Sequence, residues 1–328
     1  MTTRGASGKE SFWIDEDNSL WRSDDARKTF RKVQHVKKAT NVAGCAMQLV
    51  VIGENGCCWG IGFNHDGQLS VETFTYTNGF ERISVIDNVV EVAVGQHITV
   101  FLDNNGTVWA CGKNSCNQIV ENFATKVSAP AIVSNLPPCQ AICAGPECIF
   151  ALDKEGSVWL SGSSLAINKE NWELPLQNSN LKRILFAKPI EFISVGETSG
   201  MFSSVDGRVL WRCTSSDTIQ CIFENGIKQI AETMYRSVVL DNAGILWIWH
   251  EDASEFQQSL MPDNQQISYF HSSTTAELMF LCTTDGDYFY IYPEYGADAL
   301  KLPLTLPFVP LPPAFINKKI QKKSARAV

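Results

Sequence analysis

Val92-Ala93-Val94-Gly95, Thr99-Val100-Phe101-Leu102 and Gly106-Thr107-Val108-Trp109-Ala110-Cys111-Gly112-Lys113-Asn114-Ser115-Cys116-Asn117-Gln118-Ile119 are the stretches that decide the fold. The first is a β-branched strand that stops at a small residue, and the second is an apolar strand. Between the second and third stands Asn105-Gly106, a pair favoured in tight hairpins because glycine accepts positive φ. Three positions beyond that glycine comes Trp109, large enough to fill the space between two packed sheets.

The pattern recurs along the chain. Its turn and aromatic appear as Asn18 and Trp21, Gly56 and Trp59, Gly106 and Trp109, Gly156 and Trp159, Gly244 and Trp247, and Gly286 and Phe289, with Gly207 and Trp211 one residue longer. The turn residues lie 38, 50, 50, 51, 37 and 42 apart, a period that suits antiparallel sheets of about four strands. The upstream strand returns as Asn41-Val42-Ala43-Gly44, Ile142-Cys143-Ala144-Gly145 and Ile193-Ser194-Val195-Gly196. One such sheet cannot bury both of its faces, whereas sheets stacked around an axis bury each other's. The expectation is an all-β, seven-bladed β-propeller with the tryptophans packed between blades. A ligand-binding aromatic cage is the competing use of periodic tryptophan, but recurrence at one strand position favours packing.

The first copy starts at Phe12-Trp13-Ile14 without a preceding strand, and the C-terminal stretch offers one. Leu311-Pro312-Pro313-Ala314-Phe315-Ile316 echoes Leu136-Pro137-Pro138-Cys139-Gln140-Ala141, and Lys318-Lys319-Ile320-Gln321 echoes Lys37-Lys38-Ala39-Thr40. The ring is therefore expected to close by pairing of a strand near Ile316 to Ile320 with the N-terminal hairpin. The corresponding organisation is a flexible tail over 1–10, the propeller over 11–320 and a basic tail over 321–328.

On these residues the chain resembles the regulator-of-chromosome-condensation (RCC1) repeat family, whose units run through glycine, an apolar strand, Asp-Gly, an aromatic and a Gly-x-Asn…Gly-Gln-Leu segment. The segment Gly106 to Ile119 and the segment Gly62-Phe63-Asn64-His65-Asp66-Gly67-Gln68-Leu69 match well, and Gly162-Ser163-Ser164 matches in part. The family usually places histidine three residues after the upstream glycine. Here that position is read as Met47, Ile98, Cys148 and Ser199, with His97 one residue early. The resemblance implies a seven-bladed propeller and, from the founding members, a loop face that engages the Ran GTPase. The aligned partner-binding loops are Gln96-His97, Pro146-Glu147, Glu197-Thr198 and Tyr235-Arg236.

Composition sets the remaining bounds. Hydrophobic residues make up 45% of 328 and charged residues 19%, with nine Trp, eighteen Phe and seven Tyr, enough for a full core. The N-terminus has no secretory apolar run and no segment has the length of a membrane span, so the expected setting is intracellular, cytoplasmic or nuclear, with no membrane contact. Eleven scattered cysteines read as reduced, buried thiols. Cys139, Cys143 and Cys148 cluster in sequence, but they lie in a strand-like stretch, and no metal is expected there.

The net charge of −8 argues against a body that binds nucleic acid. Five of the 27 cations, Lys318, Lys319, Lys322, Lys323 and Arg326, crowd the C-terminus, leaving 22 against 35 acids elsewhere. With Arg27, Lys28, Arg31 and Lys32 they form one candidate basic patch. It reads either as a solvated strand edge or as a contact for nucleic acid, nucleosomes or an acidic protein.

No nucleophile elbow, phosphate loop or His-Glu-x-x-His motif is present, and the five histidines stand singly. The expected function is a non-catalytic, monomeric protein-interaction platform that needs no cofactor. Guanine-nucleotide exchange on a Ran-like or Arf-like small GTPase is the alternative implied by the resemblance, with Glu147 and Glu197 as the acids to test. Chromatin association through the basic tail and carbohydrate binding through the Trp-rich N-terminal hairpin are further readings.

Overall fold

Seven antiparallel sheets follow one another along the chain, each built mainly from consecutive strands. The computed structural model describes residues 4–7, 10–15, 17–23, 30–45, 47–72, 75–83, 86–121, 124–164, 172–173, 181–233, 236–249, 255–259, 265–272, 279–285, 288–291 and 308–310. Sheet 1 contains Arg4–Ser7, Glu10–Ile14, Leu20–Ser23 and Phe30–Lys32, and sheet 2 contains Asn41–Gly44, Gln48–Ile52, Cys58–Phe63 and Tyr76–Ile83. Sheet 3 runs through Val89–Val94, Ile98–Asp103, Val108–Lys113 and Lys126–Ile132. Sheet 4 runs through Cys139–Ala144, Cys148–Asp153, Val158–Gly162 and Leu181–Ile184, with the short strand Trp172–Glu173 added outside.

Sheet 5 comprises Ile190–Val195, Ser199–Ser204, Val209–Thr214 and Thr218–Ile222, and sheet 6 comprises Ile227–Glu232, Ser237–Asp241, Leu246–Trp249 and Gln257–Ser259. Sheet 7 comprises Ile267–Ser272, Met279–Thr283, Tyr288–Ile291 and Phe308–Pro310. The count matches the repeat, and the closely spaced copies keep four strands.

Among the described residues, six apolar clusters lie between successive sheets. Between sheets 2 and 3, for example, Val50, Ile52, Cys58 and Leu69 meet Val92, Val94, Phe101 and Cys111. Strand alternation explains the division: residues of one parity face the sheet before and those of the other face the sheet after. Trp59, Trp109, Trp159, Trp211 and Trp247 each pack into the cluster shared with the preceding sheet. The wedge role expected of these residues is the one they have.

A carboxylate holds many of these tryptophans in place. At the end of the second strand, Asp103 Oδ1 accepts the N–H groups of Asn105 and Thr107, each at 2.9 Å, while Oδ2 accepts the Trp109 indole N–H at 3.2 Å. Asp15, Asp153 and Asp241 do the same for Trp21, Trp159 and Trp247, at 2.8, 2.9 and 3.1 Å. Burial pushes the Asp103 carboxyl up, but the bonds from Thr107, Trp109 and Asn105 outweigh it and hold it below the ordinary value. In sheet 5 the equivalent residue is Ser204, whose Oγ accepts the Val209 N–H at 3.0 Å across the longer turn. Gly53 takes the place in sheet 2 and offers no side-chain acceptor.

The innermost strands touch in succession from sheet 1 to sheet 7, and Ile267–Ser272 touches Arg4–Ser7 to complete the circle. Hydrogen bonds from side chains to the neighbouring backbone stitch this circle. Gln48 Nε2 donates to the Gly95 carbonyl at 3.0 Å, and the Cys143 thiol donates to the Ile193 carbonyl at 3.3 Å. The Glu232 N–H donates to Ser194 Oγ at 2.7 Å. Glu91 and Gln229 hold the same place on their strands, three residues before the last. The Glu91 carboxylate accepts the Ile142 N–H, while Gln229 reads both groups of Phe270, donating to its carbonyl at 2.6 Å and accepting its N–H at 3.1 Å.

Two expectations change. Sheet 1 does not lack an inner strand, because Arg4–Ser7, within the segment read as a tail, pairs with Glu10–Ile14 from Arg4 opposite Trp13 to Ser7 opposite Glu10. The place intended for a C-terminal strand is thus filled from the N-terminus, and residues 316–320 lie outside the described residues. The second change concerns register. Cys45, not Gly44, makes the turn bond to the Gln48 carbonyl that Gly95, Gly145, Gly196 and Thr233 make to Ile98, Cys148, Ser199 and Arg236. The family's histidine position in sheet 2 is therefore Gln48 and not Met47. A glycine one residue early had set the wrong alignment.

Candidate functional site

One end of the propeller carries two loops per sheet: a first loop between the inner and second strands, and a second loop between the third and outer strands. A glycine at the end of the third strand locks the first loop. Gly112 has φ +119°, and a Cβ there would stand 2.3 Å from the His97 carbonyl oxygen. That carbonyl instead accepts the Lys113 N–H at 2.9 Å. Gly62 and Gly162 repeat the device, with Phe63 bonding Met47 at 3.0 Å and Ser163 bonding Glu147 at 3.1 Å. Only a residue that tolerates positive φ and lacks a side chain permits so close a crossing.

The second loop is framed by the Asn and Gln of the repeat. Asn114 Oδ1 accepts the Ile119 N–H at 2.8 Å and its Nδ2 donates to the Val120 and Ala124 carbonyls, both at 2.9 Å. Gln118 Oε1 accepts the Cys116 N–H at 3.0 Å and its Nε2 donates to the Lys113 carbonyl at 2.8 Å. Asn64 and Gln68 accept the Leu69 and Asp66 N–H groups in the same way in sheet 2, and there Gln68 donates to Gln48 Oε1 at 3.2 Å. All four side chains are buried, so their role is architectural.

In sheets 2 and 3 an ion pair then joins the second loop, or the strand end that leads into it, to the first loop of the next sheet. Asp66 Oδ2 lies 3.0 Å from His97 Nδ1, and Lys113 Nζ lies 2.6 Å from Glu147 Oε1. The Cys116 thiol donates to Glu147 Oε2 at 3.5 Å. Bonds from Lys113 and then Cys116 hold the Glu147 carboxyl below its ordinary value, and the same carboxylate raises Lys113. For Cys116, burial is the first cause of a raised thiol and Glu147 the second. These groups are part-exposed, so the pairs fix loop positions more than they add stability.

Of the residues singled out from sequence, Gln96, Glu197 and Thr198 are exposed on this face, and His97 and Glu147 are half-buried in the pairs just described. Arg236 is half-buried at the end of its loop, where its N–H donates to Thr233 Oγ1 at 3.1 Å and burial disfavours the guanidinium charge. Tyr235 lies outside the described residues. Arg31 and Lys32 are exposed on the outer strand of sheet 1, whereas Arg27, Lys28, Lys318, Lys319, Lys322 and Lys323 lie outside the described residues.

Two features escaped the sequence reading. Phe63, 36% exposed, and Tyr76, 48% exposed, meet edge to face at 5.5 Å, with the His65 ring also 5.5 Å from Phe63. The available signal was Phe63 following the locking glycine where the other copies have Lys113 and Ser163. The other feature is the buried acid Glu232, at the strand end that Val94, Ala144 and Val195 occupy in sheets 3 to 5.

The eleven cysteines are thiols outside any disulfide, and burial pushes Cys58, Cys139 and Cys148 up to about 12. Among the described residues no group of three His, Cys, Asp or Glu is placed to hold a metal, and no helix is long and apolar enough to cross a membrane.

A model of the regulator of chromosome condensation (RCC1) repeat matches residues 89–118. Human WBSCR16 has a similar fold, with a TM-score of 0.68 and 15% identity over 82% of this chain and 83% of that one. Prp20p from Saccharomyces cerevisiae, described with its binding to Gsp1p and histones, gives a TM-score of 0.66 and 17% identity over 81% and 79%. Yeast RCC1 (Prp20) in complex with Kap60 gives 0.66 and 16% over 83% and 78%. No curated protein sequence matches the chain.

Proposed function

Because the chain carries an RCC1 repeat and folds as an RCC1-like propeller, we propose that it is a non-catalytic docking platform whose partner is a small GTPase of the Ran kind. The partner seats on the end that bears the paired loops. The supporting observation is the anchoring of successive first loops by the locking glycines and the Asp66–His97 and Lys113–Glu147 pairs. A surface ordered before binding loses less conformational freedom on association, which favours recognition of a folded partner. Gln96, Glu197 and Thr198 project from that frame, and Phe63 with Tyr76 adds exposed aromatic surface at the sheet 2 rim.

Nucleotide exchange is the second reading, supported by the similarity to Prp20p and its binding to Gsp1p. An exchange factor works by binding the nucleotide-free GTPase more tightly than the loaded one, because only that difference shifts the population. Ran-like and Arf-like GTPases loaded with fluorescent nucleotide test both readings. Binding with Glu197→Ala or Gln96→Ala weakening it supports the platform, and faster nucleotide release adds exchange. No binding and no release at micromolar protein overturns both.

A further inference from the structure

The inner strands of sheets 2 to 5 end in Gly44, Val94, Ala144 and Val195, residues without a polar side chain. Sheet 6 ends in Glu232, which is 1% exposed. Its Oε1 accepts Ser237 Oγ at 2.7 Å, its Oε2 accepts Ser199 Oγ at 2.9 Å, and its N–H donates to Ser194 Oγ. Ser237 Oγ in turn accepts the Arg212 Nε–H at 2.8 Å, and the Arg212 guanidinium stacks 4.9 Å above the Trp249 ring. The seam between sheets 5 and 6 is thus apolar through Met201, Leu210, Ile227, Ile230 and Val239 but polar at the loop-bearing end.

We propose that Glu232 is a proton-operated latch between sheets 5 and 6, holding the Gly196–Ser199 loop and the turn bond from the Thr233 N–H to the Arg236 carbonyl closed when neutral and loosening them when ionised. Chemically, the neutral carboxyl can donate to Ser199 Oγ, whose hydroxyl rotates to accept, and no net charge is then buried. The ionised carboxylate must be supported in a nearly dry site by two neutral hydroxyls and by Arg212 at one remove. Geometry ties the loops to this group: a Cβ on Gly196 would lie 3.3 Å from Glu232 Cβ and 3.2 Å from the Thr233 carbonyl oxygen.

Burial pushes Glu232 up to about 7, against the opposing influence of Ser237, Arg212 and Ser199. The charged and titratable groups acting on it are Arg212 and Cys213 of the third strand in sheet 5, the Cys213 thiol being raised to about 11 by burial first and by Glu232 among the lesser causes. The folded-state value exceeds the unfolded one, so stability of the closed loops is full at low pH and falls as pH rises through about 7. The inference rests on the docking reading only in that these loops carry Glu197, Thr198 and Arg236.

Amide hydrogen exchange of the isolated protein tests it, with each loop amide compared between wild type and Glu232→Gln at the same pH to cancel base catalysis. The ratio of wild-type to variant rate is expected to rise between about tenfold and a hundredfold from pH 5 to pH 8 at the Gly196 and Thr233 amides, which make the two turn bonds. A ratio that stays flat overturns the latch. Should Glu232→Gln fail to fold, Ser237→Ala removes a donor to the carboxylate and is expected to move the midpoint upward, and an unmoved midpoint overturns it. Neither measurement involves the GTPase, so the docking reading stands or falls on its own assay.

Discussion

Replacing Asp103 with Asn isolates the carboxylate that ties the turn to its tryptophan. Asparagine retains Oδ1 and can still accept the Asn105 and Thr107 N–H groups. It loses the charge, which lowers each bond from about 1.5–3 kcal/mol to about 0.5–1.5 kcal/mol. Its amide nitrogen also faces the Trp109 indole N–H, so two donors confront each other where an acceptor stood at 3.2 Å.

The expected cost is ~2–3 kcal/mol, allowing for water that reaches the turn. With about 2.1 cal/mol/K of unfolding entropy per residue, that corresponds to a Tm lower by roughly 3–4 °C at pH 7. Thermal and urea unfolding of wild type, Asp103→Asn, Trp109→Phe and the double variant give a cycle, in which the indole bond should appear as a coupling of ~1 kcal/mol.

The pH dependence has a definite sign. The folded Asp103 carboxyl titrates below its unfolded value, so its contribution is present above that value and is lost as pH falls through the folded one. Wild type and Asp103→Asn should therefore converge below about pH 4. Equal stability at pH 7, or a Trp109→Phe cost that is the same with and without the carboxylate, refutes the clasp.

Gly112→Ala should be among the most damaging single changes, because it combines positive φ with a Cβ 2.3 Å from a backbone oxygen; a loss above ~3 kcal/mol in urea unfolding is expected. Glu91→Gln should copy Gln229: burial pushes Glu91 up to about 7, so the wild type loses stability between about pH 4.5 and 7, and the variant should melt higher at pH 8 yet equally at about pH 4. Deleting residues 1–8 removes the inner strand of sheet 1 and its contact with Ile267–Ser272, so a sharp fall in Tm is expected, and an unchanged melt would contradict ring closure by that strand. Gln48→Leu leaves the Gly95 carbonyl and the Gln68 amide without their buried partner and should cost ~2 kcal/mol by calorimetry.

The repeat made the architecture legible because each hairpin advertises itself locally. A turn that needs glycine and a tryptophan three residues later are short-range signals, and Trp59, Trp109, Trp159, Trp211 and Trp247 all pack between adjacent sheets as their recurrence implies. The loops carrying Gln96, His97, Glu147, Glu197 and Thr198 could be placed on one end for the same reason. Arg4–Ser7 was missed because Arg4-Gly5-Ala6-Ser7 has no strand pattern of its own and is a strand only through its pairing with Glu10–Ile14.

What no linear pattern contains is the partner of each polar group across the seams. Asp66 and His97 are 31 residues apart, Lys113 and Glu147 34, and Ser199 and Glu232 33, each pair brought together by the step from one sheet to the next. The amino-acid order by itself determined seven hairpin sheets, their sequence and the packing of tryptophan between them, since these depend on strand periodicity and turn chemistry. Tertiary structure alone decided which strand completes the circle, which acids are paired across the seams and that Glu232 is buried in one, because those outcomes depend on distances between sheets that no local propensity encodes.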